Sequence, residues 1–228
     1  MSQSTSQDSG AVNWRGWTLL ALYVLAFPYL CLRVERLLTG DAEPLTAEAN
    51  VICYALFFAL CLALLWRFLR RDFAQVSRWS GGQLGAAIAA GAVGVVGRMA
   101  LERLHVPPMA DPAAAQYAQE YLAAPAATLT LLLVLIPVVE ELVFRGVLFA
   151  GLERWSRRVA YPVAVALWAL CRVWRYALER GDGAWLLLAA LYLPMSWALV
   201  WCYDRGRSVW GCAVVHACLN GATLALAL

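Results

Sequence analysis

Leu131-Leu-Leu-Val-Leu-Ile-Pro-Val-Val-Glu140-Glu141-Leu-Val-Phe-Arg145-Gly146 sits inside an apolar run that extends over about residues 126–150. A run of that length can cross a hydrocarbon core of about 30 Å as a helix. Two adjacent acids stand near its middle. A carboxylate at the centre of a bilayer costs about 2.5–3.5 kcal/mol on insertion scales, so intramembrane acids mark function or an ion pair by default. Glu141 and Arg145 are at i, i+4, in the more favourable acid-first order, and can pair along the helix. Glu140 points about 100° away on a helical wheel and has no local counter-ion. A carboxylate stripped of bulk water in this way suits a general base. The competing reading is a structural ion-pair cluster that fixes helix register.

The rest of the chain has the same character. Of 228 residues 63% are hydrophobic and 14% are charged, well below the roughly 25% charged residues of a soluble domain. The pattern predicts an all-α, polytopic transmembrane helix bundle with about seven spans, near 16–33, 50–67, 83–101, 126–150, 159–176, 184–203 and 209–227. One integral membrane domain results, with a polar, disordered N-terminus (1–13), N-terminal helices (14–124) and a core of later helices (125–228). The stretch after Trp14 reads as an uncleaved first helix, because Phe27-Pro28-Tyr29 stands where a signal peptide would need small residues. Gly and Ala in the third span predict a helix buried closely among its neighbours. His105-Val106-Pro107-Pro108 and Asp111-Pro112 interrupt the following loop, with a short interfacial helix expected near Tyr117–Tyr121. Arg67, Arg70, Arg71 and Arg78, then Arg154, Arg157 and Arg158, then Arg205 and Arg207 lie in loops on the side of the N-terminus. Asp41, Glu43, Glu48, Asp111 and Glu120 fall on the other side. This bias predicts a cytoplasmic N-terminus.

All 18 basic residues are Arg. Most sit in short loops at helix ends and they form no patch, so no nucleic-acid partner is expected. Seven Cys residues lie in or beside apolar segments and form no CxxC pair, which argues against a disulfide framework or a zinc site. His216 and Asn220 share one face of the last span at i, i+4 and must find polar partners there. Interhelical hydrogen bonding alone would satisfy that need. Arg172 lies deep in the fifth span, where it can neutralise a carboxylate from the fourth or end the span.

Taken together, Glu140-Glu141-x-x-x-Arg145-Gly146 and His216-x-x-x-Asn220, the latter preceded by Ser208-Val-Trp210, resemble the first and last motifs of the CPBP family of CAAX-protease and bacteriocin-processing intramembrane endopeptidases. The resemblance covers about residues 128–222. It implies a glutamate-dependent peptide hydrolase of the membrane, with Glu140 activating water and Arg145 bracing Glu141. His216 and Asn220 would then donate hydrogen bonds to the oxyanion, where one donor can be worth about 3 kcal/mol. The implied catalytic set is Glu140, Glu141, Arg145, Arg172, His216 and Asn220, with no cofactor and no metal. The middle motif of the family, Phe-x-x-x-His, is matched here by Trp168-x-x-x-Arg172. His105 lies on the wrong element to replace the missing His. A guanidinium neither accepts a proton nor ligates a metal, and one that pairs tightly with Glu140 would weaken it as a base. A variant protease and an inactive relative both fit that departure.

Other classes stay open at this level. Cys212, His216 and Asn220 form a stripe on one helix, but a collinear stripe is poor geometry for a nucleophile and its base; Cys171 beside Arg172 is a second candidate thiol. A scaffold or immunity-type protein would keep the polar cluster for packing. A transporter would show paired halves, and no internal repeat is present. The expected partners are the lipid bilayer and a membrane-anchored peptide or protein, with a leader peptide or a C-terminal sorting tail preferred over a prenylated substrate. The Arg-only composition suits a bacterium of high-GC genome, and hence a bacterial cytoplasmic (inner) membrane.

Overall fold

The computed structural model describes residues 14–39, 47–76, 80–106 and 110–228. Residues 1–13, Asp41, Glu43, Arg78, Pro107 and Pro108 lie outside this set. Among the described residues there is no strand. The elements are α1 (14–39), α2 (Ala47–Val76), α3 (Gly81–Arg103), α4 (Pro112–Ala123), α5 (Pro125–Glu153), α6 (Arg157–Arg180), α7 (Gly183–Gly206) and α8 (Val209–Ala227). Seven of the eight occupy the seven expected spans, and α4 is the short helix expected in the third loop. By length and apolarity α2, α3, α5, α7 and α8 can cross a membrane. The other two expected spans are helical as well. In α6, Arg172 and Arg175 dilute an otherwise apolar stretch.

Helix ends follow from local chemistry. Ser80 and Gln83 form a reciprocal capping box that starts α3, satisfying two otherwise unpaired backbone donors. Asp111 accepts from the Ala113 N–H ahead of Pro112, and so starts α4. Ser208 Oγ accepts from the Gly211 N–H at the start of α8. That start is also tied to α2. The buried carboxylate of Asp72 accepts from Ser208 Oγ at 2.8 Å and from the Val209 N–H at 2.8 Å. Two helices distant in sequence thus share one junction.

The hub of the bundle is α5. In its most apolar stretch 72% of the residues are buried, against 22% in α3. The expectation that α3 lies buried among its neighbours is therefore corrected. Only a seam through Ala87, Ala90, Gly94 and Arg98 is covered, while Leu84, Ile88 and Val96 face outward. The small residues serve that single seam. A Cβ on Gly97 would stand 2.7 Å from Pro194, and one on Gly94 would stand 3.3 Å from the backbone of Met195. This is the close backbone approach that small residues permit. Outward-facing Leu30, Leu56, Leu60 and Val214 on the other helices give the bundle the apolar exterior a bilayer requires.

Three stretches widen from α to π turns: Leu22–Ala26 in α1, and Leu131–Leu135 and Leu142–Phe149 in α5. Such turns are rare and cluster at functional sites. The last two bracket Glu140 and Glu141, and Tyr23 lies in the first.

Candidate functional site

The first wide turn of α5 creates a local deficit. The Ile136 N–H donates to Leu131 O, five residues back. The next carbonyl in that register, Leu132 O, would look to residue 137, which is proline and has no N–H. Asn220 of α8 supplies the missing donor: its Nδ2 donates to Leu132 O at 2.9 Å. A buried carbonyl without a partner is costly, so this bond locks α8 to α5 about two turns before the acids.

The two acids then diverge. Glu141 is fully buried and faces α7 and α8. Its Oε1 accepts from Arg145 Nη1 at 3.2 Å and lies 2.8 Å from His216 Nδ1. Arg145 Nη2 donates in turn to the Ser196 carbonyl at 3.2 Å. An ionised carboxylate only accepts, so Nδ1 is the donor in this pair. Glu141 Oε2, Arg145 Nε and His216 Nε2 are buried with no hydrogen-bond partner among the described residues. The expected Glu141–Arg145 pair is thus present, and it is sealed from solvent.

Glu140, 3% exposed, faces α1 and α6 instead. Its Oε1 accepts from the Tyr23 hydroxyl at 2.9 Å and from Arg172 Nη1 at 3.1 Å, and its Oε2 accepts from the Trp168 indole N–H at 2.7 Å. The counter-ion that α5 itself lacks therefore comes from α6. Both departures from the middle motif bind this one carboxylate. Trp168 gives an N–H that phenylalanine lacks, and Arg172 gives a charge. The indole ring also lies between guanidiniums, with Arg145 5.2 Å and Arg172 5.6 Å from its centre, and it meets the His216 ring edge-on at 5.6 Å. Two acids and two guanidiniums cancel across the cluster without help from His216.

Glu140 and Arg172 open onto a cavity of about 120 Å³, whose polar wall includes Tyr23, Asn50, Tyr54, Tyr117 and Tyr192. That volume holds several waters. A smaller cavity of about 30 Å³ adjoins it and is lined by Arg172, Tyr192 and Asn220. The six candidate residues therefore fall into three groups. Glu140 and Arg172 stand on the larger cavity, Asn220 with Arg172 on the smaller, and Glu141, Arg145 and His216 behind them. His105 is exposed at the end of α3, away from all three. Cys212 is buried, and its thiol donates to the Leu199 carbonyl at 3.8 Å. Among the described residues no three His, Cys, Asp or Glu side chains converge as a metal site would require.

Tyr23, Ser196 and the Leu132 carbonyl are the members of this network that the sequence did not reveal. A lone phenol among Leu, Ala and Phe carries no periodic signal, and a backbone acceptor carries none at all. Proline at 137 was the one available clue to the Leu132 deficit.

No curated protein and no solved structure matches the chain. A family model does: residues 122–222 match the model described as type II CAAX prenyl endopeptidase Rce1-like. The matched stretch contains Glu140, Glu141, Arg145, Trp168, Arg172, Ser196, His216 and Asn220. Residues 122–222 of this membrane protein are thus similar to the Rce1-like CAAX prenyl endopeptidases of the CPBP family.

Proposed function

We propose that the chain is an intramembrane endopeptidase in which Glu140 activates water held in the 120 Å³ cavity. The observation that carries this reading is the contrast between the two acids: Glu141 is sealed, whereas Glu140 is clamped by three donors and still borders polar space. A base must be held rigid and also be reachable by its proton. In the proposed step, water gives a proton to Glu140 while its oxygen bonds to the scissile carbonyl carbon. The tetrahedral intermediate then collapses, the C–N bond breaks, and the proton passes to the leaving amine.

Arg172 and the second amide hydrogen of Asn220, which share the smaller cavity, are the donors we assign to the oxyanion. His216 faces Glu141, so its assigned part is to hold that acid and, through Arg145, the packing behind the site. Arg172 thereby takes an electrostatic role where the family motif has histidine. Its placement beside a developing negative charge is of the kind that lowers barriers most in a water-poor site.

The substrate we assign is a membrane-anchored peptide or protein cut at a leader or a C-terminal sorting tail, in a bacterial cytoplasmic membrane with the N-terminus of the enzyme inside. The test uses the detergent-purified full chain and three quenched-fluorescent probes: a farnesylated CAAX peptide, a leader peptide, and a peptide bearing a transmembrane sorting tail. Cleavage of the third or second by wild type, lost in Glu140→Gln, is expected. Cleavage of the farnesylated probe alone would redirect the substrate assignment. Equal cleavage by Glu140→Gln would end the reading.

A further inference from the structure

Glu140 is bonded across the bundle to a residue well outside the matched region. Tyr23, from α1, is buried and donates its hydroxyl to Glu140 Oε1 at 2.9 Å. Its oxygen lies 3.2 Å from the Tyr54 hydroxyl on α2. A phenol has one hydrogen. Tyr23 gives its hydrogen to Glu140, so in the contact between the two tyrosines Tyr54 is the donor and Tyr23 the acceptor. Both tyrosines line the larger cavity. The result is a directed chain, Tyr54 to Tyr23 to Glu140, that begins at the cavity wall and ends on the base.

The surroundings hold this chain in place. The Tyr23 ring stacks on Phe27 at 5.3 Å and meets Phe57 at 5.5 Å and Phe144 at 5.8 Å edge-on. Phe27 in turn packs edge-on against Tyr54 at 4.8 Å. In this ring cluster the only hydroxyls belong to the two tyrosines that lead to Glu140. Ring packing alone would be served as well by phenylalanine, which would bury no O–H.

Peptide hydrolysis sets a geometric problem that such a chain solves. The base takes a proton on the side of the attacking water, but the proton is needed at the leaving nitrogen. Glu140 cannot swing to carry it, because Tyr23, Trp168 and Arg172 fix both of its oxygens. Two hydroxyls in series extend its reach along the cavity wall without moving the carboxylate.

We infer that Tyr23 and Tyr54 form a proton relay between Glu140 and the leaving amine, an inference that rests on the assignment of Glu140 as the base. As the two hydroxyls turn to reverse their hydrogen bonds, Tyr23 frees a lone pair on Glu140 Oε1, and the proton from water is taken up on that oxygen. The Glu140 proton then moves to Tyr23 Oη, the Tyr23 proton to Tyr54 Oη, and the Tyr54 proton to the nitrogen as the C–N bond breaks. One proton leaves Glu140 and one reaches the amine, and both phenols return to their starting state. Tyrosine is among the side chains known to act in general acid–base transfer.

The test measures kcat and KM on the three probes for wild type, Tyr23→Phe, Tyr54→Phe and Glu140→Gln, together with the solvent-deuterium dependence of kcat. Tyr23→Phe should lower kcat by about 100-fold, at the low end of general acid–base contributions, with KM changed less than twofold. Tyr54→Phe keeps the Glu140 bond and should lower kcat by less than Tyr23→Phe does, but measurably. In both, the dependence of rate on deuterium fraction should pass from curved, with several protons in flight, to linear. A merely structural hydroxyl would not move that curvature. Unchanged kcat or unchanged curvature in either variant overturns the relay, and if Tyr23→Phe does not fold, Tyr54→Phe decides alone. A wild type inert on all three probes, or a Glu140→Gln variant as active as wild type, removes the base and the relay with it. Loss in Glu140→Gln with neither tyrosine variant affected removes the relay alone.

Discussion

Glu140 and Glu141 are neighbours in sequence and opposites in setting. Both are buried, each is paired with one arginine, and each bond network crosses to other helices. Glu141 meets only protein: Arg145, His216 and, through Arg145, Ser196. Glu140 meets protein on three sides and a cavity on the fourth. A quarter-turn of helix thus separates an acid that can only hold from an acid that can also react. The wide turns on either side of the pair allow it, because they turn the backbone differently before and after the acids and let partners approach from both faces.

Substitutions can break that division of labour. The largest expected effect on activity is that of Glu140→Gln, which keeps the shape and removes the base. Cleavage of the tailed probe should fall by about 10²- to 10⁴-fold, with a loss of thermal stability in detergent smaller than that of Glu141→Ala, because Arg172 loses its counter-ion but still borders the cavity. Glu141→Ala should show the reverse emphasis. It leaves Arg145 charged, buried and unpaired, a change that costs about 3–5 kcal/mol, so loss of folded protein on size-exclusion chromatography should precede any reading of catalysis. If the two variants behave alike, the acids do not have separate roles.

Finer changes sharpen the comparison. Arg172→His restores the family residue but withdraws the charge 3.1 Å from Glu140. Under the proposed role for Arg172, activity should drop by about tenfold to a hundredfold, the scale of one lost oxyanion donor or somewhat less. A gain would instead mark a protein whose chemistry had been set aside. Asn220→Ala removes the donor to Leu132 and should cost about 1–3 kcal/mol of stability, seen as a lower unfolding midpoint. Cys171→Ser and Cys212→Ala, measured on the same probe, should each change the rate less than twofold; a large loss from either would point to a thiol mechanism.

Much of this was legible in the residues. Apolar length placed seven helices, five of them within a few residues of both ends while the first two run six and nine residues further than expected, and i, i+4 spacing gave the Glu141–Arg145 pair directly. Prolines and acids in the third loop foretold the short α4. Partners that depend on which helices touch were not legible. The counter-ion of Glu140 comes from α6, and its third donor from α1, more than a hundred residues earlier. His216 and Asn220 share a face as their spacing requires, yet one reaches a side chain of α5 and the other a backbone carbonyl of the same helix. Spacing fixes the face of a helix, but the local turn of the opposing helix decides what that face meets. Small residues in α3 likewise marked a close contact correctly while overstating how much of the helix it covers.

The junction at Asp72 bears on how the protein can be divided. The unpaired backbone donors at the head of α8 are met by a carboxylate that lies some fifty residues before the recognisable stretch begins. A truncated chain carrying only that stretch would expose those N–H groups to lipid and free the helix bearing His216 to slide or tilt. Attempts to isolate a minimal version should therefore keep α2 attached, or supply it as a separate segment and watch for reassembly.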